Sequence, residues 1–389
     1  MKNILVIGGG WEQAELVRTV KNNGFRAIVT HPALDVEVNN MAHRYFIRAA
    51  DDIKSHLSLA AAYDVVGVIS DNCDYSLHTA SLVASRVGLP SVGINAATCG
   101  INKSRQRLKC EKARVEQPTY YTFNTLHEYM EGARGLEYPL VVKPNDSRGT
   151  FGVTIIHNSQ ELEEAYFHAL CHSPSKTGII EAFIGGTLFT VDGFCFNNGH
   201  CSLAVASRQY TPGPYPVTTE IVYPAEVSQE LGESLLFTHH DTVTHLGYHR
   251  GHTHGEYIVD KWGDIYLVEC ANRGGGVYTS STIVPTITGI NLNQAILNQA
   301  LGEEVNFTEQ TCLPAILAFL ELSRGKVLKS LNIEELLELP SVLKLRSLYK
   351  AKDMIESIDN CASRHIMVAL QGDRKQLQEF KQQLKAEYY

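Results

Sequence analysis

Apolar residues near the start of the chain occur in short runs that alternate with helical patterns. Residues 4–7, 27–29 and 65–69 are apolar runs of the kind found in buried strands. Apolar positions at helical spacing follow at residues 12–20 and 75–87. Strands that alternate with helices in this way predict a small parallel sheet with helices packed against it.

The middle and the tail of the chain continue this mixture of strands and helices. The segment 207–216 contains three prolines and is predicted to be a loop. We predict strands at residues 120–123, 140–142 and 153–156, and helices at residues 102–111, 125–133, 159–170, 228–246 and 333–339 and from residue 374 onward. The whole pattern indicates an α/β protein.

Composition narrows the classes of partner. The chain has 389 residues, of which 44% are hydrophobic and 20% charged, which is enough for a sizeable core in two or three domains. A net charge of −8 disfavours nucleic acid as a partner, because such binding requires a basic face. The sequence has no apolar run of bilayer length and no secretory leader pattern, so we expect a cytoplasmic protein without a membrane partner. Its nine cysteines form no C-x-x-C pair and are expected to be reduced thiols in the core.

A glycine-rich turn, Gly8 to Gly10, follows the first predicted strand. A strand, such a turn and a helix begin many dinucleotide-binding sites. Here Gln13 replaces the third glycine of that fingerprint, and the second strand ends in Thr30 and His31 without the acid that binds a ribose. An NAD-dependent oxidoreductase therefore stays an alternative, and the simpler interpretation is a tight turn at the rim of the sheet.

The clearest chemical pattern is a predicted β-hairpin over residues 254–273. Two β-rich runs flank Trp262 and Gly263, which we predict to be a two-residue turn. This turn would place Lys261 opposite Asp264 and Glu256 opposite Glu269.

Glu256 and Glu269 carry the chemistry of this hairpin. Side chains that face each other across antiparallel strands lie about 5 Å apart, where two like charges are destabilising. A divalent cation removes that conflict, and magnesium combines one or two carboxylates with phosphate oxygens. The residues alone leave a second interpretation open, in which both glutamates are simply solvated.

A second pattern surrounds Lys143. This lysine follows the predicted strand 140–142, and a loop with Gly149 and Gly152 leads into the next strand. One ammonium group and several backbone N–H groups at such a loop suit the phosphates of a nucleotide. The sequence G-x-x-x-x-G-K-[ST] does not occur, so the pattern differs from that of P-loop NTPases.

The two patterns together resemble the ATP-grasp family. Its members carry a G-x-x-H-x-E strand and, on the facing strand, an E-x-N-x-R segment followed by glycines. The corresponding residues here are Gly251, His254 and Glu256, then Glu269, Ala271 and Arg273, then Gly274, Gly275 and Gly276. The resemblance implies an α/β fold, α+β in the ATP-grasp part. It implies a Rossmann-like parallel-sheet domain at 1–92, an ATP-grasp domain at 93–307 with a mobile lid at about 117–178, and a small C-terminal lobe at 308–389.

The resemblance also implies roles for individual residues, with ATP and Mg²⁺ or Mn²⁺ as cofactors. Glu256 and Glu269 are the metal ligands. Asn272 is a further metal candidate, one residue beyond the position of the family asparagine, which Ala271 occupies here. The catalytic candidates are Arg273, Lys143 and His254, and His254 shares a strand face with Glu256.

The nucleotide contacts implied by the resemblance fall into two groups. Around the phosphates they are Lys103, Lys143, Ser147, Arg148, Gly149, Thr150 and Gly152, and around the adenine they are Glu181, Phe183 and Ile184. Leu188 stands where many relatives have a glutamate for the ribose hydroxyls, so the contact to the ribose is undefined.

The histidines between residues 239 and 254 invite a zinc interpretation, which we disfavour. The predicted helix places His240 and His245 on different faces, and no cysteine accompanies them at zinc-finger spacing. Arg208, in the predicted loop, is a candidate for binding an acidic group of a substrate.

Two functions follow from the resemblance. The first is an ATP-dependent ligase that activates a carboxylate and joins it to an amine, as in the L-amino acid ligases, with small-molecule acid and amine as partners. The second, typical of the biotin-carboxylase-like branch, is a carboxylase that activates bicarbonate. The sequence leaves a homodimer open.

Overall fold

The N-terminal segment forms the predicted parallel sheet. The computed structural model describes residues 1–147, 149–197, 199–211, 217–305, 313–358 and 360–389. The sheet has the order β3-β2-β1-β4, and the strands are β1 (Asn3–Ile7), β2 (Arg26–His31), β3 (Arg44–Ile47) and β4 (Val65–Ile69). Its helices are α1 (Ala14–Asn22), α2 (Val36–Met41), α3 (Ile53–Ala62) and α4 (Asp74–Arg86). The elements β3, α2 and α3 were not predicted; β3 is a short edge strand without fully buried residues, so its apolar signal is weak.

Side chains of the protein itself occupy the space beside the glycine turn that follows β1. Gly8 has a φ of +81°, and a Cβ there would lie 2.2 Å from the hydroxyl oxygen of Ser76. The Gln13 side chain donates a hydrogen bond to the Gly8 carbonyl (2.6 Å) and accepts one from the Asp71 backbone N–H (3.1 Å). Gln13, at the position of the third glycine of a dinucleotide fingerprint, therefore ties this turn to the end of β4.

A small antiparallel sheet follows, after the helices α5 (Ile94–Gly100) and α6 (Lys103–Lys109). It has the order β5-β8-β6-β7, with β5 (Tyr120–Phe123), β6 (Leu140–Pro144), β7 (Thr154–Ile156) and β8 (Gly178–Ala182), and it carries α7 (Leu126–Arg134) and α8 (Leu162–Cys171). Phe123 and Tyr129 pack edge to face with ring centroids 4.8 Å apart, and Tyr166 packs against both rings. This aromatic cluster gives the predicted lid segment a hydrophobic core of its own.

The largest sheet contains the predicted hairpin. Its first strands are β9 (Thr187–Phe196), β10 (Gly199–Tyr210), β11 (Thr218–Tyr223), β12 (Gly251–Val259) and β13 (Ile265–Ala271), with helix α9 (Gln229–Leu246) packed against β10. The helices α10 (Val284–Thr288) and α11 (Leu292–Ala300) follow. The prediction of a loop at residues 207–216 is wrong for residues 207–210, because these residues belong to β10 and pair with β11. Its proline-rich part, residues 212–216, lies outside the described residues.

The C-terminal segment extends the same sheet. The complete order is β13-β12-β9-β10-β11-β14-β17-β16, and the added strands are β14 (Ala315–Leu320), β16 (Val342–Ser347) and β17 (Ile366–Gln371). The strands β15 (Leu328–Leu331) and β18 (Ala386–Tyr388) form a separate pair, and the helices are α12 (Ile333–Leu337) and α13 (Arg374–Gln383), both predicted. The predicted C-terminal lobe thus shares a continuous sheet with the strands that carry the candidate site.

Candidate active site

A cavity of about 210 Å³ lies between the small sheet and the large sheet. Lys143 and Glu181, on β6 and β8, line the side formed by the small sheet. Glu256 and Glu269, on β12 and β13, line the opposite side. Residues predicted from two separate patterns therefore face one cavity.

The predicted pairing of Glu256 with Glu269 is confirmed, but the predicted turn is wrong. The strands are joined by a longer loop, in which the Asp260 N–H donates to the Asp264 carbonyl (3.1 Å), so Lys261 does not face Asp264. Near this loop the register is shifted by one residue, and Tyr257 pairs with Leu267. A β-bulge at Val268 absorbs the extra residue, so that Glu256 again pairs with Glu269.

Each of the two facing glutamates is neutralised by a cation from another part of the chain. Lys103 Nζ lies 2.9 Å from Glu269 Oε2, and Arg208 Nη1 donates to Glu256 Oε1. Burial would raise the pKa of both acids, but Lys103 lowers the pKa of Glu269, and Arg208 together with His254 lowers that of Glu256. Both carboxylates are thus ionised and compensated, which is the charge state required of metal ligands.

Lys143 belongs to a buried ionic triad. Its Nζ donates to Glu181 Oε2 (2.6 Å), and Arg107 Nε donates to Glu181 Oε1 (2.9 Å). Burial alone would raise the pKa of Glu181, but Arg107 and Lys143 together lower it. Arg107 also donates to the carbonyl of Val268 (2.9 Å), the bulged residue of the hairpin. Glu181 therefore orients Lys143, and Arg107 links the small sheet to the hairpin.

The loop between β6 and β7 borders the same cavity. Ser147, Gly149 and Thr150 line it, and the Ser147 carbonyl accepts a hydrogen bond from Lys103 Nζ (3.1 Å). Gly149 and Thr150 both have a positive φ, of +60° and +66°, which is costly for a threonine. Gly152 packs behind the cavity wall, because a Cβ there would lie 2.7 Å from Pro144, which lines the cavity. Arg148 lies outside the described residues.

The segment predicted to read adenine also lines the cavity. Phe183, Ile184 and Leu188 border it beside Glu181. The Phe183 N–H already donates to the Pro139 carbonyl (3.1 Å), so it is not free to bind a base. The carboxylate of Glu181 is likewise engaged with two cations, so we no longer expect it to read adenine directly.

His254 is held by a buried carboxylate that the sequence did not reveal. Its Nδ1 lies 2.7 Å from Asp192 Oδ1, and the Tyr223 hydroxyl donates to Asp192 Oδ2. Burial would lower the pKa of His254, but Asp192 raises it to about 9. His254 Nε2 lies 3.8 Å from Glu256 Oε1, so the imidazolium adds positive charge beside one of the two facing acids.

Arg273 and Asn272 point in different directions. Arg273 lines a second small cavity with Lys103 and Glu269, and its Nε lies 3.1 Å from Asp74 Oδ2. Asn272 is only 2% exposed, and its Nδ2 donates to the carbonyls of Arg250 (2.9 Å) and His252 (2.8 Å).

The proposed metal role of Asn272 is therefore not supported by its position. Strand alternation places Glu269, Ala271 and Arg273 on the cavity side, and Asn272 on the other side. Asn272 lines a separate cavity with Ser70 and Gln299.

Within the residues that the structure describes, no group of three or more histidine, cysteine, aspartate or glutamate side chains is arranged to hold a metal ion. Over the same part of the chain, no helix has the length and apolar character needed to cross a membrane.

Sequence reasoning missed three residues of this site, namely Asp74, Arg107 and Asp192. Asp74 is the first residue of α4, the helix that follows β4, so it lies at the carboxyl edge of a parallel sheet. Ligands commonly bind at this edge, so the position could have predicted a functional role for Asp74. Arg107 lies in a polar helix and Asp192 within an apolar strand, where one buried acid among apolar residues also indicates a special role.

Comparison with known proteins shows similarity in sequence and in fold. Residues 136–281 match the ATP-grasp domain family. An L-amino acid ligase from Bacillus licheniformis is similar in structure, with a TM-score of 0.87 and 22% identity over 100% of this chain and 99% of that chain.

Curated relatives are similar in sequence. The carbamoyl phosphate synthase large chain of Pseudomonas putida is 22% identical over 329 residues, which are 78% of this chain and 30% of that protein. The formate-dependent phosphoribosylglycinamide formyltransferase of Sulfolobus acidocaldarius is 22% identical over 88% of this chain and 86% of that protein. The chain thus spans less than a third of the synthase. Over residues 136–281 the chain therefore resembles an ATP-grasp domain, and the similarity of fold to the L-amino acid ligase extends over the whole chain.

Proposed function

We propose that this protein is an ATP-dependent, ADP-forming ligase that activates a small-molecule carboxylate as an acyl phosphate and joins it to an amine. The observation that carries the proposal is the pairing of Glu256 with Glu269 on one side of a cavity whose other side presents Lys143. Two fixed acids and a nearby lysine suit the metal and the phosphates of ATP.

Glu256 and Glu269 are the residues that would hold a divalent metal. Two facing carboxylates fit magnesium, which takes one or two acids together with phosphate oxygens and water. When bound, magnesium neutralises charge on the β- and γ-phosphate oxygens. Lys103 and Arg208 are the present counter-charges of these acids, so both are close enough to interact with anions that arrive with the metal.

The remaining side chains position the reactants. We expect Lys143 and Lys103 to bind the phosphates of ATP, and Arg273 to bind the transferred phosphoryl group as a planar fork of donors. The loop that carries Gly149 and Thr150 borders the cavity, and its closure over the phosphates would exclude water from a reactive intermediate.

The reaction then proceeds in two steps. A carboxylate oxygen attacks the γ-phosphorus, the bond from that phosphorus to the β–γ bridging oxygen breaks, and ADP leaves. The amine nitrogen attacks the acyl carbon, the carbon–oxygen bond to phosphate breaks, and the amine releases a proton to solvent. The protein contributes position and charge neutralisation to both steps.

The names of the related proteins support a carboxylate and an amine as the substrates. One of them is an L-amino acid ligase. A D-alanine–D-alanine ligase from Acetivibrio thermocellus is 30% identical over 132 residues, 32% of this chain. The formyltransferase named above is formate-dependent. Structures of biotin carboxylases are also similar, so bicarbonate belongs in the test as a rival acid.

The test is release of ADP and inorganic phosphate with panels of acids, each with and without an amine. The proposal predicts ADP release that requires an organic acid and magnesium, whereas ADP release with bicarbonate alone would identify a carboxylase. Glu269→Gln should lower turnover by about 100-fold or more, because it removes one of the two acids at the transferring phosphate. Glu304→Gln, an exposed glutamate, is the matched control and should keep full activity.

A further inference from the structure

A buried carboxylate beside the N-terminal sheet contacts the residue that follows Arg273. Asp71 lies two residues after β4 and is 3% exposed. Its Oδ1 accepts a hydrogen bond from the Gly274 backbone N–H (2.7 Å). Asp71 and Gly274 are 203 residues apart in the sequence. This bond therefore joins the N-terminal sheet to the segment that directly follows the hairpin.

Other side chains fix the second oxygen and the backbone of Asp71. Its Oδ2 lies 3.0 Å from His252 Nδ1, on β12, and 3.0 Å from the hydroxyl oxygen of Ser280. The Gln13 side chain accepts a hydrogen bond from the Asp71 backbone N–H (3.1 Å). Burial would raise the pKa of Asp71, but His252 and the Gly274 N–H lower it. Asp71 is therefore a buried, ionised acceptor with both of its oxygens engaged.

Gly274 leaves no room for a side chain beside this carboxylate. A Cβ on Gly274 would lie 2.3 Å from the Ser280 Cβ and 2.8 Å from Asp71 Oδ2, which is too close for either atom. The glycine therefore lets the backbone approach Asp71 directly. A hydrogen bond from an N–H group to an ionised carboxylate is roughly twice as strong as one between neutral groups. This contact fixes the position of Gly274.

Gly274 in turn holds the guanidinium group of Arg273. Its carbonyl accepts a hydrogen bond from Arg273 Nη1 (3.2 Å), and Arg273 Nε lies 3.1 Å from Asp74 Oδ2. The Arg273 side chain lines the small cavity together with Asp74 and Glu269. Two acids that follow β4 thus hold this arginine beside the facing glutamates, Asp74 directly and Asp71 through Gly274.

We propose that Asp71 is a positioning residue, which holds Arg273 through the backbone of Gly274 in the orientation that binds the transferred phosphoryl group. This inference rests on the proposed ligase function, which gives that role to Arg273. An arginine binds a phosphoryl group with a planar fork of donors, so its orientation decides how many donors reach the group. A displacement of about 1 Å at such a site can lower the rate by about 100-fold. The N-terminal sheet thereby contributes to the rate through Arg273.

The test is a double-mutant cycle with Asp71→Asn and Arg273→Lys, assayed as ADP release with the preferred acid of the panel. Asp71→Asn keeps the size of the side chain and removes its charge. It should lower kcat by about 10- to 100-fold, with the KM of ATP within about 3-fold of the wild-type value. Arg273→Lys keeps a positive charge and loses the fork. In that background Asp71→Asn should lower kcat further by less than about 3-fold, because residues that act as a unit are not additive. Equal losses in the two backgrounds would show that Asp71 acts independently of Arg273, which contradicts the proposal.

Two further variants serve as a control and as a second test. Asp51→Asn, the same substitution at an exposed aspartate of the N-terminal segment, should leave kcat and the KM of ATP unchanged. Ser280→Ala covers the case in which Asp71→Asn does not fold, because it removes one contact of Asp71 Oδ2 and leaves the bond to Gly274. It should lower kcat by about 3- to 10-fold, as expected for one hydrogen bond, and only where Arg273 is present. Ser280→Ala with full kcat, or with the same loss in the Arg273→Lys background, would refute the inference.

A binding measurement separates this inference from the proposed function. Aluminium fluoride with magnesium and ADP imitates a phosphoryl group in transfer, so it should raise the Tm of the wild-type protein beyond the increase with magnesium and ADP alone. Asp71→Asn should keep the increase with magnesium and ADP and lose the additional increase with aluminium fluoride. An equal additional increase in both proteins, or none in the wild type, would overturn the inference. If no acid supports ADP release but the additional increase depends on Asp71, the proposed function fails and the positioning of Arg273 by Asp71 is supported.

Discussion

The ionic triad around Glu181 allows a quantitative prediction. Glu181→Gln keeps the size of the side chain and removes the negative charge that Arg107 and Lys143 share. Arg107 is fully buried, and one of its nitrogens, Nη1, has no partner among the described residues. The substitution therefore leaves two buried cations without their acid.

The expected cost follows from that burial. Removing one partner of a buried ion pair typically destabilises a protein by about 3–5 kcal/mol, because the remaining charge is uncompensated. We expect Glu181→Gln to lower the free energy of unfolding by about that amount at pH 7. The pKa of Glu181 is lowered in the folded protein. Ionised Glu181 therefore stabilises the folded state fully above the unfolded pKa near 4.5, and this stabilisation is lost as the pH falls below that value. The difference in the free energy of unfolding between the wild type and Glu181→Gln should therefore be smaller in acid than at pH 7.

Chemical denaturation at pH 7 and at pH 4 measures both effects. Glu163→Gln, an exposed glutamate of α8, is the control and should change the free energy of unfolding by less than about 0.5 kcal/mol. A loss below about 1 kcal/mol for Glu181→Gln at pH 7 would refute the reasoning, because the triad would then contribute no more than a surface pair.

Three further predictions concern stability and binding. Burial and His240 lower the pKa of His200 to about 3, below its unfolded value of 6.5. The free energy of unfolding should therefore fall as the pH drops from 6.5 towards 3, by up to about 1.4 kcal/mol per pH unit. This fall should be less steep in His200→Gln. The control His127→Gln, at an exposed histidine, should show the same fall as the wild type. Tyr223→Phe leaves Asp192 without its hydroxyl donor and should cost about 1–3 kcal/mol in urea denaturation, whereas Tyr210→Phe, at an exposed residue, should cost little. Magnesium with ADP at 100 times its Kd should stabilise the protein by about 2.7 kcal/mol, and a Tm increase with NAD alone would favour the oxidoreductase alternative.

The sequence predicted the parallel sheet and the facing acids, because both depend on local patterns. Runs such as residues 4–7 are apolar at every position, and a strand buried on both faces requires this. The pairing of Glu256 with Glu269 was predicted from a two-residue turn that does not exist. The longer loop shifts the register by one, and the bulge at Val268 shifts it back, so two local errors cancelled. No residue type near Val268 signals such a bulge.

The counter-charges of the site could not be predicted, because they come from distant segments. Arg107 and Glu181 are separated by 74 residues, and Arg208 and Glu256 by 48. Their contacts depend on the order of strands in two sheets and on how these sheets pack, which no local pattern encodes. The displacement of Asn272 from the acids has a local origin, because strand alternation places it on the face opposite to Glu269 and Arg273.

The central claim is that the protein phosphorylates a carboxylate, and an isotope label tests it most directly. The preferred acid of the panel, carrying ¹⁸O in its carboxylate, is incubated with ATP, magnesium and the amine, and the phosphate released is analysed by mass spectrometry. If an acyl phosphate forms, one labelled oxygen passes from the acid to inorganic phosphate, at one label for each ADP. Phosphate without the label, at an equal yield of ADP, would contradict the account.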